Sequence, residues 1–260
     1  MKMTGNTILI TGGGSGIGRG LAEAFHALGN QIIIAGRGQK RLDETAGANP
    51  GMKSLTVDMA DAGSTRAFAA QVAQDYPSLN VLINMAGVMV PENLLDQKDP
   101  LADAEATVAT NLLGPIRLTA ALLPTLRKQP HATIMNVSSG LAFVPLAMTP
   151  TYCATKAAIH SYTESLRYQL RDTPVEVLEL VPPYVQTELM GEHGANDPMA
   201  MPLDEFIAEV MQILQSDPTP PEICVERVAP LRFAAAKGQG PYDGMFKGFN
   251  DTMTAALAGH

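Results

Sequence analysis

Basic clusters, cysteine motifs and long apolar runs are all missing from this chain of 260 residues. Its 18 Lys and Arg are scattered among 26 Asp and Glu, for a formal net charge of −8. Binding a phosphate backbone needs cations gathered on one face, so the charge argues against a nucleic-acid partner. The two cysteines, Cys153 and Cys224, lie far apart without metal or redox spacing. That suits free thiols in a reducing compartment and gives no reason to expect a metal. No uninterrupted apolar run reaches the roughly 18 residues of a membrane span, and the first strand-like run follows the start too closely for a secretory or transit signal. A cytoplasmic protein that does not enter a membrane is expected.

What the chain does have is alternation. Apolar strand-like runs at 7–10, 31–35, 52–57, 81–85, 133–137 and 175–181 are separated by helical stretches. This order predicts an α/β fold: a Rossmann-type doubly wound parallel sheet in three α/β/α layers, within a single domain over 1–260. In such folds ligands bind beyond the carboxyl ends of the strands, so the residues just after each run are the informative ones. Two stretches break the rhythm. Residues 183–202, with Gly191, Gly194, Pro198 and Pro202, read as a long loop, and 184–202 as a lid over the substrate. The tail, 220–260, is a variable segment without a convincing seventh strand.

Gly12, Ser15, Gly16, Ile17 and Gly18 follow the first run and open a helix. Glycines there permit a tight turn and close approach of a pyrophosphate to a helix N-terminus, which points to a dinucleotide; a tight βα turn without a ligand is the alternative. The second run ends Ala35-Gly36-Arg37, with no acid to hold a ribose 2′-hydroxyl. Arg37 would instead pair with a 2′-phosphate, which favours NADP(H) over NAD, unless it is a solvated arginine beside Lys40 and Arg41. Tyr152 and Lys156 stand four apart on one face of a helical stretch, where an ammonium would favour the phenolate. Ser139, just after the fifth run, offers a hydroxyl to a carbonyl oxygen that gains charge.

TGGGSGIG at 11–18, NMAG at 84–87, Asn111, Ser139, YCATK at 152–156 and PPYVQT at 182–187 resemble, in order and spacing, the motifs of the single-domain short-chain dehydrogenase/reductase family. The resemblance covers roughly residues 5–190. It implies that Tyr152 is the proton donor or acceptor and that Lys156 binds the nicotinamide ribose and lowers the tyrosine pKa. Ser139 would hold the substrate oxygen, and Asn111 would anchor a proton-relay water. It further implies that Asp58 and Met59 meet the adenine, that Asn84, Ala86 and Gly87 line the cofactor, and that Val185 and Thr187 bind the carboxamide. The implied reaction is NADP(H)-dependent hydride transfer to or from a ketone, aldehyde or secondary alcohol. The implied assembly is a homodimer or homotetramer built on helices 101–127 and 151–171.

Three departures stand out: Met85 replaces the second asparagine of the usual NNAG, Pro183 replaces the glycine of the usual PG turn, and the C-terminal part differs. The last is closer to the branch labelled DltE-like. A non-redox enzyme of this family, or an NADP-binding sensor, is the rival reading. Leu141, Phe143, Val144, Met148, Met190, Met199 and Met201 would form an apolar substrate wall.

Overall fold

The computed structural model describes residues 1–95 and 101–258. Among the described residues seven strands form one sheet: β1 (Thr7–Thr11), β2 (Gln31–Gly36), β3 (Lys53–Thr56), β4 (Val81–Asn84), β5 (Ala132–Val137), β6 (Val175–Val181) and β7 (Glu222–Cys224). All neighbours run parallel in the order β3-β2-β1-β4-β5-β6-β7, so the winding reverses between β1 and β4. That reversal opens a crevice above the carboxyl ends of these two strands.

The central strands β1 and β4 are buried on both faces because helices cover both. Ile8 and Ile10 pack with Leu21 and Phe25 of α1 (Gly16–Ala27), beside Phe206 and Val210 of a later helix. Leu9, between them in sequence, packs on the opposite face with Phe68 and Val72 of α3 (Ala62–Asp75) and with Leu118 and Leu122. The two-residue period of a strand thus divides one sequence run between two cores, each fully buried large side chain contributing about 1.5–3 kcal/mol. Helix α2 (Gln39–Ala48) lies between β2 and β3.

Ala102–Leu126 forms one helical rod of 25 residues with a mean hydropathy of 1.3 over its most apolar stretch, enough by length and composition alone to cross a membrane. Here it is a layer of the fold: Leu118, Leu122 and Leu126 are wholly buried against the sheet. The rod comprises α4 (Ala102–Val108), a single π turn at Ala109–Leu113, and α5 (Gly114–Leu126). Such π turns frequently mark functional positions, and this one carries Asn111.

After β5 come α6 (Pro150–Leu170), started by proline in its first turn, and β6. Residues 183–202, expected as one long loop, contain a 3-10 turn at Glu188–Met190 and the short helix α7 (Glu192–Asn196). The loop is also closed at its base, where Val185 bridges Met201 and the Tyr184 hydroxyl donates to Asp197 Oδ2 at 3.0 Å. Helix α8 (Leu203–Leu214) follows.

The tail corrects the sequence reading most. Strand β7 exists and continues the parallel sheet, but its three residues are too few to display a pattern. Beyond it lie the single turn α9 (Ala229–Arg232) and the 20-residue helix α10 (Gln239–Ala258).

Candidate active site

The turn after β1 is built by close backbone approach. Gly12 has φ +72, and a Cβ there would stand 3.0 Å from Ala86 Cα; a Cβ on Gly18 would meet the Gly12 carbonyl at 2.2 Å. Any larger residue would force α1 off the sheet. Thr11 Oγ1 locks this turn to the segment after β4 by accepting from the Met85 and Ala86 N–H groups, both at 3.1 Å. At the start of α1, Ser15 makes no side-chain cap and the first turn holds no acid. The positive end of the helix is therefore left to an anion from outside the chain.

This turn floors one end of a cavity of about 700 Å³. Gly12, Ser15, Gly16, Ile17, Gly18, Arg37, Ala86, Gly87, Ser139, Tyr152, Lys156, Val185 and Thr187 all line it. Arg41 of α2, which the sequence reading did not place in the site, lines it too, and its Nη1 reaches Glu188 Oε2 at 2.7 Å across the mouth. The cradle, the open helix end and two arginines fit a phosphorylated dinucleotide.

At the other end, Tyr152 and Lys156 project from the first turns of α6, both buried. Ser139, at the end of β5, hydrogen-bonds the Tyr152 hydroxyl and also accepts from Leu141 N at 3.1 Å. Lys156 Nζ donates to Val137 O at 2.8 Å and stands 5.5 Å from the Tyr152 ring centroid. Burial dominates both titrations. It raises the Tyr152 pKa, opposed only in part by the Ser139 hydrogen bond, and lowers that of Lys156 to about 8. In the protein alone desolvation dominates and favours the protonated phenol.

Four expected site residues do not line the cavity. The Asn84 amide donates to Asn136 Oδ1 at 2.8 Å and Thr119 Oγ1 at 3.0 Å, stitching β4 to β5 and α5. Asp58 is exposed, its carboxylate accepting from Ala60 N, and Met59 is buried. Asn111 exchanges two 2.8 Å hydrogen bonds with the Val88 backbone, so its amide clamps that loop instead of facing the cavity. It still sits next to the site, because a Cβ on Gly87 would lie 3.4 Å from Asn111 Oδ1 and 3.8 Å from Lys156 Nζ.

The apolar wall also differs from expectation. Leu141, Met190 and Met199 line the cavity; Phe143, Val144, Met148 and Met201 do not. Their place is taken by Leu231 of α9 and by Phe249 and Met253 of α10. Met253 packs in one buried cluster with Tyr152 and Leu146. No local signal in the sequence links residue 253 to residue 152.

The family model described as short chain dehydrogenase matches residues 6–198. An uncharacterized oxidoreductase, DltE, of Bacillus subtilis (strain 168) is 40% identical over 253 residues, covering 96% of this chain and 98% of that protein. Among solved structures, the closed form of a serine dehydrogenase complexed with NADP+ matches with a TM-score of 0.72 at 25% identity, over 80% of this chain and 89% of that one. A short chain dehydrogenase from Burkholderia cenocepacia J2315, in complex with NADP, matches with a TM-score of 0.81 at 24% identity, over 95% and 99% of the two chains.

Proposed function

Because this chain belongs to the short-chain dehydrogenase family and is an oxidoreductase of that family, we propose that it is an NADP(H)-dependent carbonyl reductase and alcohol dehydrogenase with Tyr152 as its acid and base. The observation that carries this reading is the convergence of Ser139, Tyr152 and Lys156 at one end of a cavity whose other end is a glycine cradle with two arginines. Gly12, Ser15, Gly16, Ile17 and Gly18 would hold the pyrophosphate, Arg37 and Arg41 the 2′-phosphate, and Val185 and Thr187 the carboxamide. The nicotinamide, when bound, supplies or accepts the hydride.

The chain's own residues supply the rest. The Ser139 hydroxyl donates to the substrate carbonyl oxygen and holds it toward Tyr152. As that oxygen gains negative charge, the phenol gives it a proton, a contribution typically worth ~10²–10⁴ in rate. Burial favours this direction, since it keeps the phenol in its donating form. In the reverse direction the phenolate takes the alcohol proton. Lys156 places a positive charge beside the ring and favours that phenolate.

The substrate end is apolar among the described residues: Met89, Leu141, Met190, Leu231, Phe249 and Met253 carry no charge. Thioethers adapt to varied shapes, so the substrate class proposed is an uncharged ketone, aldehyde or secondary alcohol with an apolar substituent. NADPH oxidation against ketones and aldehydes of graded size, with 2-oxo acids alongside, tests both parts. Turnover of bulky neutral ketones is the expected result. Inactivity with every carbonyl would favour the sensor or non-redox reading, and preference for oxo acids would refute the apolar wall.

A cytoplasmic homodimer or homotetramer through α4–α5 and α6 completes the proposal. The free thiols agree with the location. The exposed Leu101, just before the rod, and Leu113 within it agree with the association. A monomeric mass by light scattering at micromolar concentration would rule the assembly out.

A further inference from the structure

Directly behind Ser139 lies a buried carboxylate that the reaction does not touch. Glu179 of β6 is wholly enclosed. Two groups satisfy it: the Ser138 hydroxyl donates to Oε1 at 2.5 Å, and His160 Nδ1 stands 2.8 Å from Oε2 and 3.1 Å from Oε1. Ser138 is the residue before Ser139, and His160 comes one helical turn after Lys156. A single carboxylate therefore ties together the two elements that carry the reactive side chains.

A second layer backs the first. Glu222 of β7 is the register partner of Glu179 and receives both Nε and Nη2 of Arg232, at 2.6 and 2.8 Å. Arg232 lies 4.4 Å from the centre of the Phe143 ring, which meets the His160 ring edge to face at 4.7 Å. The neighbour of Arg232, Leu231, lines the cavity, and a Cβ on Gly140 would stand 2.8 Å from it. Donor atoms of His160, Glu179 and Glu222 lie within 4.8 Å of one another, close enough to bind a metal ion. Arg232 already provides the cation opposite Glu222, which argues for a network complete without one.

Enclosing a carboxylate is costly unless it is paired and fully hydrogen-bonded, and an apolar side chain would fill a core site at lower cost. The charge therefore calls for a geometric explanation. Backbone bonds from Ser138 N to Leu180 O and from Gly140 N to Pro182 O fix where this segment lies along β6. The Ser138 hydroxyl adds a third point, which fixes its rotation about the strand. We propose that Glu179 is a positioning residue: acting through the Ser138 hydroxyl and the His160 ring, it holds the end of β5 and the second turn of α6 in register, and so aims the Ser139 hydroxyl at Tyr152. This rests on Tyr152 being the acid and base.

The test compares Ser138→Ala, a minimal change, with Glu179→Gln, which keeps one acceptor oxygen, using Ser139→Ala and Tyr152→Phe as references. Misplacing a reacting group can cost about 10²-fold, so kcat should fall by about 10–100-fold in Ser138→Ala and less in Glu179→Gln. The KM for NADPH should stay close to that of wild type, while the melting temperature of Ser138→Ala should fall by a few degrees, because the enclosed carboxylate loses a donor. The Ser139 hydrogen bond favours the phenolate. The pH at which alcohol oxidation becomes fast should therefore rise in Ser138→Ala, in the same direction as in Ser139→Ala, a readout that a purely structural role would not move. Wild-type kcat and pH profile in Ser138→Ala, or a loss of kcat accompanied by an unchanged profile, would overturn the proposal. Full activity in Tyr152→Phe would instead overturn the acid–base reading on which it rests.

Discussion

The Lys156 ammonium stands 5.5 Å from the centre of the Tyr152 ring yet donates its hydrogen bond to the Val137 carbonyl, 2.8 Å away. One cation thus anchors the end of β5 and polarises the neighbourhood of the phenol. Its burial has a measurable consequence for the cofactor-free protein.

Folded, Lys156 titrates at about 8, against 10.5 for an exposed lysine. Between those values the unfolded chain binds a proton that the folded chain does not, so raising the pH through this window stabilises the fold. Lys156→Met removes the effect. In urea unfolding, the stability of wild type relative to the variant should climb from about pH 8 to about pH 10.5 and level off above it. A difference independent of pH would show that this lysine does not titrate there.

Much of this site was legible in the sequence because its chemistry is local. Gly12, Gly16 and Gly18 signal a turn by spacing, Tyr152 and Lys156 share a helix face, and Ser139 follows a strand that its apolar run announces. Asn84 was not legible in the same way, because its partners, Asn136 and Thr119, come from distant segments. The same holds for Phe249 and Met253, which fold back from a helix whose Gly240, Gly244, Gly248 and Pro241 disguise it by low helical propensity. Strand β7 escaped because Glu222, Ile223 and Cys224 show no alternation over so short a run.

Coenzyme choice should divide between Arg37 and the Arg41–Glu188 pair. A charged hydrogen bond contributes about 1.5–3 kcal/mol, so Arg37→Ala should weaken NADPH binding by roughly tenfold or more and leave NADH nearly unchanged. The Arg41–Glu188 ion pair is more than half exposed and so is worth at most about 1 kcal/mol. Glu188→Gln, by releasing Arg41, should tighten NADPH binding up to about fivefold. Fluorescence titration of both coenzymes reads these effects; equal losses for the two in Arg37→Ala would exclude a 2′-phosphate partner.

Loop 184–202 is tied at its base by the Val185–Met201 bridge and by the Tyr184–Asp197 hydrogen bond. Its tip, around Glu188–Met190, is more exposed. Amide exchange should therefore be slow at the base in all states, fast at the tip without ligand, and slowed at the tip by NADP with an alcohol. Slow exchange at the tip without ligand, unchanged on its addition, would make the loop a fixed wall.

The central claim is that the buried phenol of Tyr152 is the proton donor and acceptor, and Tyr152→Phe tests it with the loss of a single oxygen. Steady-state turnover of the best ketone found should be measured beside NADPH affinity in the same preparation. The expected result is a fall in kcat of ~10²–10⁴ with NADPH affinity close to wild type. A kcat within about threefold of wild type would contradict the account, because so small a loss is far below what a positioned acid contributes.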